Sequence, residues 1–266
     1  MNKLQKLIDW FDGKGAILIA LSGGVDSALV AYAAHKSLGN YCAAVTADYK
    51  TLAQEELESA KKICSEIGIR QIIIEYNELE NPDFVKNDKS RCFHCRTELA
   101  NHLTKVFEIE KAHLIVDGTN LDDLKEYRPG IVALRDHGVK SPLVEVAFTK
   151  LDVRNCAREA GLSIYDKPSN SCLASRIRWG DRVTSEKLVR IEKSEIIVKQ
   201  LFGIRQVRVR DLGDEARIEV GQNDINLLSD SKKISTLMDS LKEFGFKSVF
   251  IDPEGYRPSK LNVIAD

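Results

Sequence analysis

No apolar run in this 266-residue sequence approaches the length of a membrane span, and no membrane partner is expected. The opening residues, MNKLQKLIDWFDGKGA, are amphipathic and too acidic for a secretory signal, so a cytoplasmic location is expected. Charge of one sign is not in excess either. The formal net charge is −1, which argues against a generally basic nucleic-acid binder and makes tRNA a less favoured partner. Internal repeats and low-complexity segments are missing. The five histidines are scattered without metal-binding spacing. What remains is 43% hydrophobic and 30% charged residues, the balance of a globular chain with room for one large domain or two modest ones.

The first two thirds alternate between strand and helix signals. Residues 16–21 form an apolar run of strand length, followed by a glycine turn and a helix to about residue 38 that is apolar nearly all round. CAAVTAD (42–48) is a second buried strand. Ala53, Leu57, Ala60, Cys64 and Ile67 recur at helical spacing before Gly68. QIIIEY and AHLIVDGTN supply two more strands, and Thr149 caps a helix stopped by Gly161. Such units predict an α/β fold with a parallel sheet covered on both faces, and a ligand site at the carboxyl ends of the strands. The texture changes near residue 180. A charged helix leads to QVRVRDLGDEARIEVG, a hairpin pattern around Leu212-Gly213-Asp214. A helix with Ile234, Leu237, Met238 and Leu241 on one stripe and the strand SVFID follow. Two domains are therefore expected: 1–180, and a small α+β domain, 181–266, for substrate binding or oligomerisation.

LSGGVDSA (21–28) leaves the first strand and opens the first helix. Gly23 and Gly24 allow a tight turn in which backbone N–H groups approach an anion. The helix N-terminus adds partial positive charge, and the Ser22 and Ser27 hydroxyls can donate. The G-K-[ST] ending of a Walker A loop is missing. Asp26 can act through Mg²⁺, or simply suit the helix dipole. DGTNLDD ends the fourth strand, making Asn120 and Asp122 candidates for the nucleotide. From Arg176 to Arg210 there are ten Lys/Arg against four Asp/Glu, a local basic surface suited to an anionic substrate or RNA.

The loop resembles the PP-loop of N-type ATP pyrophosphatases, of the HUP or adenine nucleotide alpha hydrolase-like fold, which split ATP to AMP and pyrophosphate. DKPSNSCLASRIRWGDRVT (166–184) and IDPEGYRPSKLN (251–262) resemble the LarE family of ATP-dependent sulfur insertases, over nearly the whole chain. That resemblance implies adenylation of a carboxylate on a pyridinium mononucleotide, then sulfur insertion, as in nickel-pincer nucleotide synthesis. It implies that Ser22, Gly23, Gly24, Val25, Asp26, Ser27 and Asn120 bind ATP and pyrophosphate. Arg176, with Arg208 and Arg210 on one strand face, would bind substrate phosphate or carboxylate. It also implies a homo-oligomer, dimer or hexamer.

SRCFHCRTEL (90–99) carries Cys92 and Cys95. Taken alone, a CxxC is compatible with a redox pair, half a zinc site (His94 completing a Cys₃His set with a third thiol) or an iron–sulfur site. Many LarE-type proteins have a single cysteine, matching Cys172, that gives up its own sulfur. The resemblance to three-cysteine members implies instead a [4Fe–4S] cluster on Cys92, Cys95 and Cys172, with sulfide as the sulfur source. Cys42, Cys64 and Cys156 lie in core patterns.

Overall fold

The computed structural model describes residues 2–125 and 128–257. The last part of IDPEGYRPSKLN, from Pro258, lies outside the described residues. In chain order the elements begin with α1 (Lys3–Trp10), β1 (Ile17–Ala20), α2 (Val25–Leu38), β2 (Cys42–Asp48), α3 (Gln54–Ile67) and β3 (Arg70–Glu75). Then come α4 (Pro82–Val85), α5 (Arg91–Glu110), β4 (Leu114–Val116), α6 (Pro129–Asp136), α7 (Pro142–Glu145) and α8 (Lys150–Glu159). The chain continues with α9 (Ser185–Phe202), β5 (Val207–Asp211), β6 (Glu215–Val220), α10 (Ser231–Glu243) and β7 (Ser248–Ile251).

These elements form two compact units. The first comprises the described residues to Glu78 together with Cys92–Asn170, and the second Leu79–Arg91 together with the described residues from Ser171. A break at 180 would fall inside the second unit. Asn87 explains why. Its side chain donates to the carbonyls of Arg178 and Asp181, both at 2.8 Å, and Val183 N–H donates to Val85 at 3.0 Å. Residues 171–183 are thereby tied to 79–91.

In the first unit the sheet is parallel, in the order β3-β2-β1-β4. Its faces follow the two-residue strand period. Ile17, Ile19, Cys42, Ala44 and Val116 pack with α1, α2, α3 and α8. Leu18, Ala43, Val45 and Ile115 pack with Leu99, Ala100, Leu103 and Val106 of α5. Both faces are covered, the α/β arrangement expected of the PP-loop fold. α2 is buried along most of its circumference, from Val25 to Ala34. Strand order reverses between β1 and β4, so the loops leaving these two strands flank a topological switch point. β4 has only three residues, because the polar end of AHLIVDGTN turns away to form that loop.

In the second unit β5 and β6 form the antiparallel hairpin, with Gly213 in the left-handed region (φ 87°) at its turn. β7 joins β6 in parallel. Val198, Phe202, Val209, Ile218, Leu237, Leu241 and Phe246 form the core. The apolar stripe of α10 is narrower than its spacing predicts: Leu237 and Leu241 are buried, whereas Met238 is 38% exposed. Among the described residues no helix is long and apolar enough to cross a membrane.

Candidate active site

The loop after β1 is closed by its own hydroxyls. Ser27 Oγ accepts from Ser22 N–H at 3.2 Å and donates to the Gly24 carbonyl at 3.1 Å, while the two serine hydroxyls lie 3.2 Å apart. Gly23 has φ 76°, and a Cβ there would lie 2.4 Å from the Glu56 carbonyl oxygen. Gly118, from the loop after β4, approaches just as closely: its Cβ would lie 2.5 Å from Ser27 N. Gly24 caps α2 with extended backbone, leaving the first-turn N–H groups pointing out of the helix end. Val25 is buried in the core, so only its backbone belongs to the loop.

Asp26 stands in the first turn of α2 and is held on both oxygens. Asn120 Nδ2 donates to Oδ1 at 3.0 Å, and Lys150 Nζ pairs with Oδ2. Asn120 is itself fixed, its Oδ1 accepting from Asp122 N–H at 2.9 Å and its own N–H donating to Asp123 at 3.0 Å. Burial pushes the Asp123 carboxyl up from its ordinary value. Asp122 accepts from the backbone N–H of Lys150 at 2.8 Å, which locks the start of α8 to the β4 loop. Asp117 is 6% exposed and accepts from Ser141 at 2.7 Å and from the Thr119 hydroxyl at 2.6 Å. On the other side of the loop Lys167 Nζ lies 2.9 Å from both the Gly23 carbonyl and Glu56 Oε2. The structure therefore brings Ser22, Gly23, Gly24, Asp26, Ser27 and Asn120 together, and adds Lys150, Lys167, Glu56 and Gly118. Gly118 and Lys167 lie in the DGTNLDD and DKPSNSCLASRI stretches, whereas Glu56 and Lys150 have no local sequence signal.

Cys92 and Cys95 open α5, three residues apart and hence on one face of the helix. Cys92 is exposed and Cys95 half-buried. Tyr76 stacks on His102 (centroids 4.5 Å, planes 11° apart) and on Tyr49 (5.5 Å, 20°). Its buried hydroxyl has no hydrogen-bond partner among the described residues. Burial, then the nearby Cys95 thiol, raise the Tyr76 pKa. The core cysteines differ: burial pushes Cys42 up to about 11 and Cys64 up to about 12, and raises Cys156. Among the described residues no three His, Cys, Asp or Glu side chains are grouped to hold a metal.

Cys172 is half-buried in the second unit, at the start of a short 3₁₀ turn, Leu173–Arg176. Arg176 was expected to offer its fork to substrate; instead it is wholly buried. Its Nε donates to Glu195 at 2.8 Å, and Nη1 donates to the carbonyls of Ser171 (2.5 Å) and Cys172 (2.9 Å). It thus builds the turn that carries Cys172. Glu195 also accepts from Val209 N–H at 3.1 Å, and Arg176 holds its carboxyl below the ordinary value despite burial. Arg210 is buried too, donating to Glu219 at 2.8 and 3.0 Å and to the Ser175 carbonyl at 2.9 Å. Arg208, 3% exposed, lies over the Tyr256 ring; burial, with the Arg176 charge, lowers its pKa to about 10. Asn87 and Arg91 complete the scaffold, Arg91 donating to Asn87 Oδ1 at 2.5 Å and to the Ala174 carbonyl at 2.8 Å.

The family profile described as Queuosine biosynthesis protein QueC matches residues 16–87, the span that holds the loop. A relative in Synechocystis sp., an uncharacterized protein, is 40% identical over 261 residues, 98% of this chain and 97% of its own. The pyridinium-3,5-bisthiocarboxylic acid mononucleotide synthase of Lactiplantibacillus plantarum is 29% identical over 250 residues, 92% of this chain and 88% of its own. The chain belongs to the LarE family of PP-loop ATP pyrophosphatases. An uncharacterized Methanocaldococcus jannaschii protein, 29% identical over 241 residues, is similar over 91% of this chain and 90% of its own. Like other LarE-type proteins this is an ATP-using enzyme.

Proposed function

We propose that the protein is an ATP-dependent sulfur transferase. It adenylates a carboxylate of a small anionic, nucleotide-like substrate with release of pyrophosphate, then replaces the activated oxygen by sulfur, as in nickel-pincer nucleotide synthesis. The observation that carries the first half is the closed loop of Ser22–Ser27 at the switch point, backed by Asp26, Asn120 and Lys150. Asp26 offers a hard oxygen donor, which fits Mg²⁺. The loop N–H groups hold phosphate oxygens and orient the α-phosphate toward the attacking carboxylate.

For the second half we assign Cys92, Cys95 and Cys172 as ligands of a [4Fe–4S] cluster. These three thiols are accessible, whereas the other three are buried. The donor chemistry fits, since thiolates are the usual ligands of such clusters. The buried Tyr76 hydroxyl beside Cys95 also fits, as a donor suited to a sulfur acceptor. When bound, the cluster supplies an iron position at which sulfide is offered as nucleophile. The chain's own part is positional. Arg176 fixes the backbone that carries Cys172, and Arg208 and Arg210 supply buried positive charge for a substrate phosphate. A cytoplasmic homo-oligomer belongs to the same proposal.

Anaerobic purification followed by iron and sulfide analysis tests the second half. Pyrophosphate release with a pyridinium mononucleotide carboxylate tests the first. Iron-free protein after reconstitution rejects the cluster. Release of ADP and phosphate instead rejects the adenylation. A tRNA shift in a native gel would point to tRNA thiolation.

A further inference from the structure

Tyr76 follows β3 and shares the α5 side of the sheet with Ile72 and Ile74, which precede it at two-residue spacing. Its backbone N–H extends the strand pairing, donating to the Asp48 carbonyl at 3.3 Å. Its ring is stacked by Tyr49, from the end of β2, and by His102, from α5. Two residues on, the buried Glu78 accepts the backbone N–H groups of Lys50 (3.0 Å) and Thr51 (2.6 Å), which holds the segment that bears Tyr49. The hydroxyl is the exception to this order. It is buried and has no hydrogen-bond partner among the described residues. An unmet buried donor costs stability, and native proteins keep few of them. Phenylalanine would keep the stack and avoid the cost. The hydroxyl therefore calls for an acceptor that this state of the protein does not offer.

Cys95 is placed to become that acceptor. His102 lies about two helical turns after Cys95 on the same face of α5, and Leu99 between them belongs to the core against which Tyr76 packs. The Cys95 thiol is near enough to act on the Tyr76 hydroxyl electrostatically, yet no hydrogen bond joins the two. A neutral thiol is a weak acceptor, whereas a charged acceptor makes a shorter and stronger bond. Metal binding converts one into the other, because a thiol releases its proton on becoming a ligand.

We propose that Tyr76 is a positioning residue of the iron–sulfur site: its hydroxyl donates to the Cys95 sulfur once that sulfur ligates iron, fixing the thiolate and favouring the reduced, more negative cluster. This rests on the cluster assignment made above and not on the nucleotide reading of the loop.

The test compares full-length wild type with Tyr76→Phe, each reconstituted anaerobically with iron and sulfide. In the variant, a chelator should strip the iron at about a three- to tenfold lower concentration, and the reduction midpoint should become more negative. Without iron, the variant should unfold at the same denaturant concentration as wild type or a higher one, because it has lost a donor with nothing to bind. A tyrosine needed only for packing would lower that denaturant midpoint and leave the potential where it was. An unchanged chelator titration, an unchanged potential, or a loss of stability in the iron-free variant overturns the proposal and leaves the cluster assignment standing. Wild-type protein that takes up no iron overturns the cluster assignment, and this role of Tyr76 with it.

Discussion

The ion pair at the phosphate loop and the one beneath Cys172 use similar charges to opposite ends. Asp26 and Lys150 have side chains 21% and 30% exposed, on a site that must accept a ligand. Glu195 and Arg176 have 4% and 0% exposure, and Arg176 donates to Glu195 and to the Ser171–Ser175 turn. Water screens the first pair, so exchanging its partners is nearly neutral. The second pair was desolvated on folding, so removing one member strands the other. The same contrast separates the thiols, with Cys92 and Cys172 accessible and Cys64 packed in the core.

The thiol contrast is the easiest to break. Cys92→Ala or Cys172→Ala should abolish the iron–sulfur absorption of anaerobically reconstituted protein, whereas Cys64→Ala should keep it. Absorption that survives in Cys172→Ala would mean that Cys172 is not a cluster ligand.

Next in size, Glu195→Ala should lower unfolding stability by about 3–5 kcal/mol, because it leaves the Arg176 charge buried and unopposed. Denaturant titration checks it. A loss below about 1 kcal/mol would remove the distinction between the two pairs.

Asp26→Ala should behave in the opposite way, with AMP and pyrophosphate formation falling by about 10²-fold or more while the denaturant midpoint hardly moves. Thr149→Ala removes the cap beneath Lys150 and should cost about 1 kcal/mol. The smallest effect is in pH. Lys3 and then Thr149 hold the Asp152 carboxyl down to about 2. A depressed carboxyl contributes stability above its unfolded value near 4 and loses it as pH falls through its folded value. Thermal melts between about pH 4 and pH 2 should therefore show a slightly shallower decline in Asp152→Asn than in wild type.

Much of the fold was legible because its signals are local. CAAVTAD matches β2 residue for residue, Gly68 ends α3 in the left-handed region, and Leu212-Gly213-Asp214 turns the hairpin. The loop was legible for the same reason, since S-G-G-x-D-S is contiguous. What escaped notice depends on distance in sequence. Lys150, Lys167 and Gly118 reach the loop through the order of strands and the packing of α8, which no local period encodes. The burial of Arg176, Arg208 and Arg210 escaped for another reason. Composition marks arginine as a surface residue, and only the positions of Glu195 and Glu219 show that Arg176 and Arg210 are internal. Asn87, with φ 57° and no exposure, gave no hint that it organises a segment some ninety residues downstream.

That last link has a bearing on synthesis. Leu79–Arg91 emerges from the ribosome early, yet the carbonyls that Asn87 serves belong to residues made 90 or more positions later. At roughly 5–20 residues per second the wait is about 5–20 s. During that time Phe84 and Val85, both buried in the finished protein, have no second unit to pack into. The first unit must therefore mature around a hydrophobic segment that belongs elsewhere. A stalled or truncated chain ending near residue 170 would display that segment to chaperones or to other copies of itself.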